Sequence, residues 1–195
     1  MGRAKTAPAP GAAVAQSRFG VLGCMQFEQG FYTAHKKIAG EDLDFIYCYG
    51  DYIYEGDSYP VDGANVVRSH GTPEVRTLDD YRNRYALYRG DVDLQAAHAA
   101  HAFAVIWDDH EVQNDYSGIH PEKPGVSTED FIVRRAAAYR AFYEHLPMRS
   151  TPAGNGGLRV HRRLRYGDLA QLALLDCRQF RPANPCGVGE SPRCD

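Results

Sequence analysis

The sequence contains no apolar run near the roughly 18 residues that a bilayer-spanning helix needs. It has no N-terminal apolar core of the kind that marks a secretory signal, no run of Lys and Arg, and no internal repeat. The first two absences exclude a membrane-crossing helix from this sequence and give the expectation of a soluble chain. The third argues against a basic surface for nucleic acid or an anionic membrane, because 22 Lys and Arg are scattered against 25 Asp and Glu and the net charge is −3. A small-molecule or headgroup substrate is expected instead. What is present is 195 residues, 44% of them apolar, enough for one domain with its own core and too few for two large ones.

Bulky apolar residues are nearly missing from residues 2–16 (GRAKTAPAPGAAVAQ), an Ala/Pro/Gly segment that cannot bury enough surface to fold alone and reads as a linker. The five cysteines form an odd set, so at least one lies outside any intramolecular disulfide. Cys186 and Cys194 stand in a Gly/Pro-rich stretch where a short disulfide loop is expected in an oxidising compartment, two free thiols being the alternative. Cys24 and Cys48 end apolar runs and read either as small buried residues or as ligands.

Arg18–Cys24 and Asp44–Tyr49 are short runs of strand-forming residues flanking a helical stretch, Phe31–Ala39, which predicts a βαβ unit with a parallel pair. Gly56–Val75 reads as a long loop. Thr77 with Asp80 has capping-box spacing, and Tyr81, Tyr85 and Tyr88 follow on one helical face as core packing. A second helix is expected over Leu94–His101 and a buried strand over Phe103–Trp107. After another loop, Ser127 with Asp130 caps a helix in which Phe131, Arg135, Ala138 and Phe142 recur up to Pro147. Leu158–Tyr166 and Leu169–Asp176, separated by Gly167-Asp168, predict a β-hairpin, and residues 178–195 read as irregular.

Each of the three predicted parallel strands ends in potential metal ligands: Cys24, then Asp51, then Asp109 and His110. Parallel strands place their carboxyl ends on one sheet edge, so ligands distant in sequence converge there. Crowded carboxylates repel and call for a cation. Gly50-Asp51 alone is weak evidence, since such pairs more often make turns. Asp108-Asp109-His110-Glu111 is more specific, because a buried strand runs straight into three acids and a histidine suited to donate a proton near neutral pH, the alternative being a charged surface turn. Asn114 adds a neutral oxygen ligand or a phosphate donor. Tyr54, which alone reads as packing, offers a phenolate to a ferric ion, and Cys24 a thiolate; the remaining oxygens suit calcium.

The strings GDYIYE, RTLDDYRNRYALYRGDVDLQAAHAAH, WDDHEVQNDYSG and LALLDCRQFR, in this order, resemble the PhoD-like alkaline phosphatases and phosphodiesterases, a group that includes a metal-dependent actinobacterial phospholipase D. The resemblance covers most of residues 17–187. It implies an α/β fold forming part of a four-layer α/β/β/α metallophosphoesterase sandwich, with a mixed sheet and flanking helices. It also implies iron (Fe3+) and calcium as cofactors, with other divalent metals as alternatives. Matched motif by motif, Cys24, Asp51 and Tyr54 would hold iron, Asp51 would bridge to calcium, and Asp109 and Asn114 would face calcium or phosphate. His110, with Asn114, would act on the leaving group or the phosphate.

The same resemblance makes residues 1–16 a linker or the remnant of a preceding β-sandwich domain, and residues 17–195 the N-terminal portion of the catalytic domain. It implies a secreted or periplasmic setting and a phosphate ester or phospholipid headgroup as substrate. Two departures stand out. Cys48 occupies a position where relatives have histidine, and the family's later Gly-Asp-x-His motif is absent. The expected function is therefore metal-dependent hydrolysis of phosphate mono- or diesters. The competing expectation is an inactive or structural half that needs a complementary C-terminal chain.

Overall fold

A computed structural model describes residues 2–3, 5–57, 66–149 and 157–183. Three strands, β1 (Phe19–Leu22), β2 (Phe45–Cys48) and β3 (Phe103–Val105), form a parallel sheet in the order β1-β2-β3. The helix between the first two, α1 (Thr33–Ala39), completes the expected βαβ unit. The other helices are α2 (Leu78–Arg89), α3 (Val92–Ala100) and α4 (Thr128–His145). Helix α1 packs on α3 and α2 on α4. The hairpin is a separate two-stranded antiparallel sheet, β4 (Arg162–Tyr166) and β5 (Ala170–Leu174), so the described strands form a parallel and an antiparallel sheet rather than one mixed sheet. No helix among the described residues is long and apolar enough to cross a membrane.

Local chemistry explains the helix boundaries. Thr77 accepts from the Asp80 N–H while the Asp80 carboxylate accepts from the Thr77 N–H at 2.8 Å, a complete capping box. Ser127 caps α4 through the Asp130 N–H, and Asp91 caps α3 through two N–H groups, each cap contributing about 1 kcal/mol. Tyr81, Tyr85 and Tyr88 are fully buried, as the helical stripe predicted. In α4 the core face is Phe131, Ala138 and Phe142, whereas Arg135 is half-buried and donates to the Gly118 carbonyl. Strand β3 stops short of Trp107: the chain turns so that the indole stacks on Tyr139 at 4.1 Å and donates to Asp176 at 3.0 Å.

The register assigns the two sheet faces. Gly20 lies beside Ile46 and Leu22 beside Cys48, with Ile46 and Cys48 completely buried. The opposite face carries Phe19 beside Phe45 and Val21 beside Tyr47; Phe19 and Val21 are about half exposed. Tyr166 of the hairpin packs on Phe45 at 6.1 Å, and a cavity of about 880 Å3 lies between the hairpin and the amino ends of the strands. The described part of the N-terminal segment has no helix or strand. It lies on the domain, with Arg3 N–H bonded to the Ala99 carbonyl, Lys5 paired with Asp42, and Val14 N–H bonded to the Asp168 carboxylate. Cys24, Cys48 and Cys177 are free thiols, and the pairing expected for Cys186 and Cys194 lies outside the described residues.

Candidate metal centre

The carboxyl ends of all three parallel strands meet at one edge, at the opposite end of the strands from the cavity. Beyond β1 and β2 the pairing continues through Cys24 N–H to the Gly50 carbonyl at 3.2 Å and Met25 N–H to the Asp51 carbonyl at 2.9 Å, which sets Cys24 beside Asp51. Both residues leave the ladder in left-handed conformations, with φ of 51° and 52°. Such a conformation costs a non-glycine residue roughly 1–2 kcal/mol and is concentrated at functional sites. Gly50, at φ 128°, passes so close to β3 that a Cβ there would meet the Asp108 nitrogen at 2.6 Å.

Asp51 belongs to two sets of polar side chains. Its Oδ2 accepts from the Cys24 thiol at 3.4 Å and from the Tyr54 hydroxyl at 3.3 Å. One ligand atom each from Asp51, Asp109 and His110 also lie within 4.8 Å of one another, a possible metal site. Asp51 Oδ1 is buried and has no hydrogen-bond partner among the described residues. The Tyr54 ring stacks on the His110 imidazole at 4.0 Å, so the two sets form one constellation. Asn114 sits at its rim, with its N–H donated to Glu55 at 2.7 Å and its side chain donating to Glu122 at 2.8 Å.

Three residues with no role assigned from the sequence organise this edge. Glu111, fully buried, accepts from the N–H groups of Tyr52 at 2.6 Å and Asp108 at 2.9 Å, tying the two acidic motifs together. Glu55 accepts from Asn114 with one oxygen and bonds His110 Nδ1 at 2.8 Å with the other. Arg178, from the segment after β5, donates to Asp108 at 2.6 Å and lies 3.3 Å from Asp109, so it offsets part of the negative charge. The signal for Glu55 and Glu111 was their place inside the acidic motifs. Arg178 had no local signal, because its partners are about 70 residues away.

The electrostatics are those of a centre that wants a cation. Burial is the largest influence raising the Asp51 pKa, and Asp109 and Asp108 add to it against the opposing charge of His110. Burial also lifts Cys24 and Glu111 above their ordinary values. Burial opposes charge on His110, but its bond to Glu55 and the charges of Glu55, Asp109 and Asp51 prevail, lifting its pKa to about 9. Cys48 is a fully buried thiol, pushed by desolvation to about 12.

Because Asp51, Glu111 and His110 all have folded-state pKa values above their unfolded ones, the folded metal-free chain holds protons that the unfolded chain releases. Their contribution to stability therefore falls as pH rises, from just above the ordinary carboxylate range for the acids and from 6.5 through about 9 for His110, while burial lowers the pKa values of His35, His70 and His98, which oppose this decline up to about pH 6.5. We expect the urea midpoint of the chelator-treated chain to decline between about pH 7 and about pH 9, where His110 and Glu111 lose the protons they hold in the folded chain. A midpoint that stays level or climbs across this window would contradict these shifts.

The PhoD-like phosphatase family model matches residues 19–195, and the chain is a member of that family. It is 48% identical over 197 aligned positions to alkaline phosphatase D of Bacillus subtilis (strain 168), the match taking in all of this chain and 34% of that protein. A solved structure described as that of PhoD superposes with a TM-score of 0.88 at 49% identity, covering 93% of this chain and 35% of the other. The chain thus spans about one third of the length of these relatives.

Proposed function

We propose that this chain contributes the metal-binding first part of a phosphoesterase catalytic domain that hydrolyses phosphate mono- or diesters, phospholipid headgroups included. The observation that carries this reading is Asp51: one oxygen accepts from Cys24 and Tyr54, the other is buried with no hydrogen-bond partner among the described residues, and the carboxylate lies within 4.8 Å of ligand atoms of Asp109 and His110. A buried carboxylate in that position fits a bridge between two cations far better than a turn residue. The first set, a thiol, a phenol and a carboxylate, fits a ferric ion, whose charge favours anionic donors; the second, Asp51 and Asp109 with Asn114, fits calcium. When bound, such metals neutralise phosphoryl oxygens as Lewis acids and activate water for in-line attack.

The chain's own groups have distinct tasks. Cys24, Tyr54 and Asp51 would hold iron as deprotonated ligands, with Asp51 common to both ligand sets. His110, held through Nδ1 by Glu55, is placed to donate a proton to a departing alkoxide or a hydrogen bond to phosphate, with Asn114 as a further phosphate donor. Glu55 fixes both by bonding one with each oxygen. The remaining ligands come from a complementary C-terminal segment that also covers the half-exposed face of Phe19 and Val21 and completes the four-layer sandwich. Residues 1–16 then form the join to a preceding domain, in a secreted or periplasmic protein.

Hydrolysis of an aryl phosphate and an aryl phosphodiester, with iron and calcium supplied, tests this reading. We expect turnover when the 195-residue chain is joined to the segment equivalent to the relative's following residues, and none from the chain alone. Robust turnover by the chain alone would sink the requirement for a complement. Silence of the joined protein would sink the hydrolase reading itself.

A further inference from the structure

Helix α2 contributes none of the proposed ligands, yet its inner face grips the backbone of the loops that carry them. The hydroxyl of the fully buried Tyr88 accepts from the N–H of Phe27 at 3.2 Å and from the N–H of Tyr54 at 3.1 Å. Phe27 lies three residues after Cys24, and Tyr54 three residues after Asp51. A phenol can accept two hydrogen bonds and donate one, so these amides fill its acceptor capacity. Its proton is left for Gln26 Oε1 at 3.3 Å or His70 Nε2 at 2.9 Å.

One turn earlier, the buried guanidinium of Arg84 donates to the Tyr54 carbonyl, to the Gly56 carbonyl at 2.8 Å, and to Thr72 and the Pro73 carbonyl at 2.9 and 3.2 Å. Both polar groups of the Tyr54 peptide are therefore held by α2, and the two ends of the long loop are drawn to the same side chain.

We infer that Tyr88 and Arg84 are positioning residues that set the distance between the Cys24 loop and the Tyr54 loop, and through it the geometry of the thiol, carboxylate and phenol donors at Asp51. The inference rests on the ferric-site reading above. Without the Tyr88 hydroxyl, the buried Phe27 N–H and the partly buried Tyr54 N–H lose their acceptor and the loops are free to separate, while the α2 core face keeps its aromatic ring. Tyr85 supplies the matched control: it is equally buried, lies on the same helix, and its hydroxyl has no hydrogen-bond partner among the described residues.

The test titrates the 195-residue chain with ferric nitrilotriacetate and follows the visible phenolate-to-iron absorption band, alongside amide exchange of Phe27 and Tyr54 in the metal-free chain. For Tyr88→Phe we expect faster exchange at both amides, ferric affinity lower by roughly 10-fold, in line with loss of a supporting contact, and a displaced band. For Tyr85→Phe, exchange, affinity and band should match the parent. Should Tyr88→Phe fail to fold, Arg84→Lys, which keeps the charge but not the planar fork, should shift the band in the same way. An unshifted band with parent-like affinity in the folded Tyr88 variant, or in Arg84→Lys if only that one folds, overturns the inference alone. A parent chain that takes up no ferric ion overturns the ferric-site reading and the inference with it.

Discussion

Replacing Asp51 with asparagine should strip the chain of both metals and make its metal-free form more stable. The amide keeps the shape of the side chain but lacks the charge, and one of its two terminal atoms becomes a donor that repels a cation. Since the same carboxylate serves the Cys24–Tyr54 side and the Asp109–His110 side, both affinities should fall together, by at least ~100-fold, given how strongly ligand charge sets such affinities. The stability gain has two sources. Asp51 is buried against Asp109 and Asp108, which push its pKa upward, so neutralising it relieves repulsion and desolvation. It also sits at φ 52°, a conformation that asparagine tolerates best among residues with a side chain. A gain of about 1 kcal/mol in the chelated state is of the expected size. Elemental analysis of the variant and its urea midpoint read both effects; retained metal with an unchanged midpoint would refute the bridging assignment.

The second large effect is expected at the neighbouring position. Gly50→Ala places a methyl 2.6 Å from the Asp108 nitrogen, 2.7 Å from its Cβ and 2.9 Å from the Trp107 carbonyl carbon. Two of these three atoms are main chain, so relief requires the ends of β2 and β3 to move apart rather than a side chain to swing away. The φ of 128° is itself unfavourable for alanine. Overpacking and backbone strain together give an expected loss of about 3 kcal/mol or more. The separation also pulls Asp51 away from Asp109 and His110, so metal uptake should fall even where the variant remains folded. A variant with parental thermal stability and metal content would show that the close approach of the two strand ends is not required.

Much of this arrangement was legible in the residues because it is encoded locally. The Thr77–Asp80 and Ser127–Asp130 spacings specify their own helix starts, and the strand runs ending at Cys48 and before Asp108 carry the parallel pairing that brings Asp51 to Asp109. The hairpin was legible too, although its turn is Gly167–Leu169, one residue longer than the Gly-Asp pair suggests, with Gly167 at φ 57°. What the sequence did not reveal depends on tertiary context. The left-handed turns at Cys24 and Asp51 leave no glycine signature, and the contacts of Arg178 with Asp108 and Asp109 span about 70 residues. Glu111 looked like one more acid in a cluster, yet its carboxylate serves the backbone of both motifs. The fold of the sheet edge was thus readable from local pattern, and the internal braces that hold it were not.

Anomalous X-ray scattering from crystals of the chain soaked with iron and calcium measures the arrangement around Asp51 directly. Two cations should flank its carboxylate, an iron peak beside Cys24 and Tyr54 and a calcium peak beside Asp109. A single ion, or ions that leave Asp51 uncontacted, would contradict the assignment of Asp51 as the bridge on which the proposed phosphoesterase site is built.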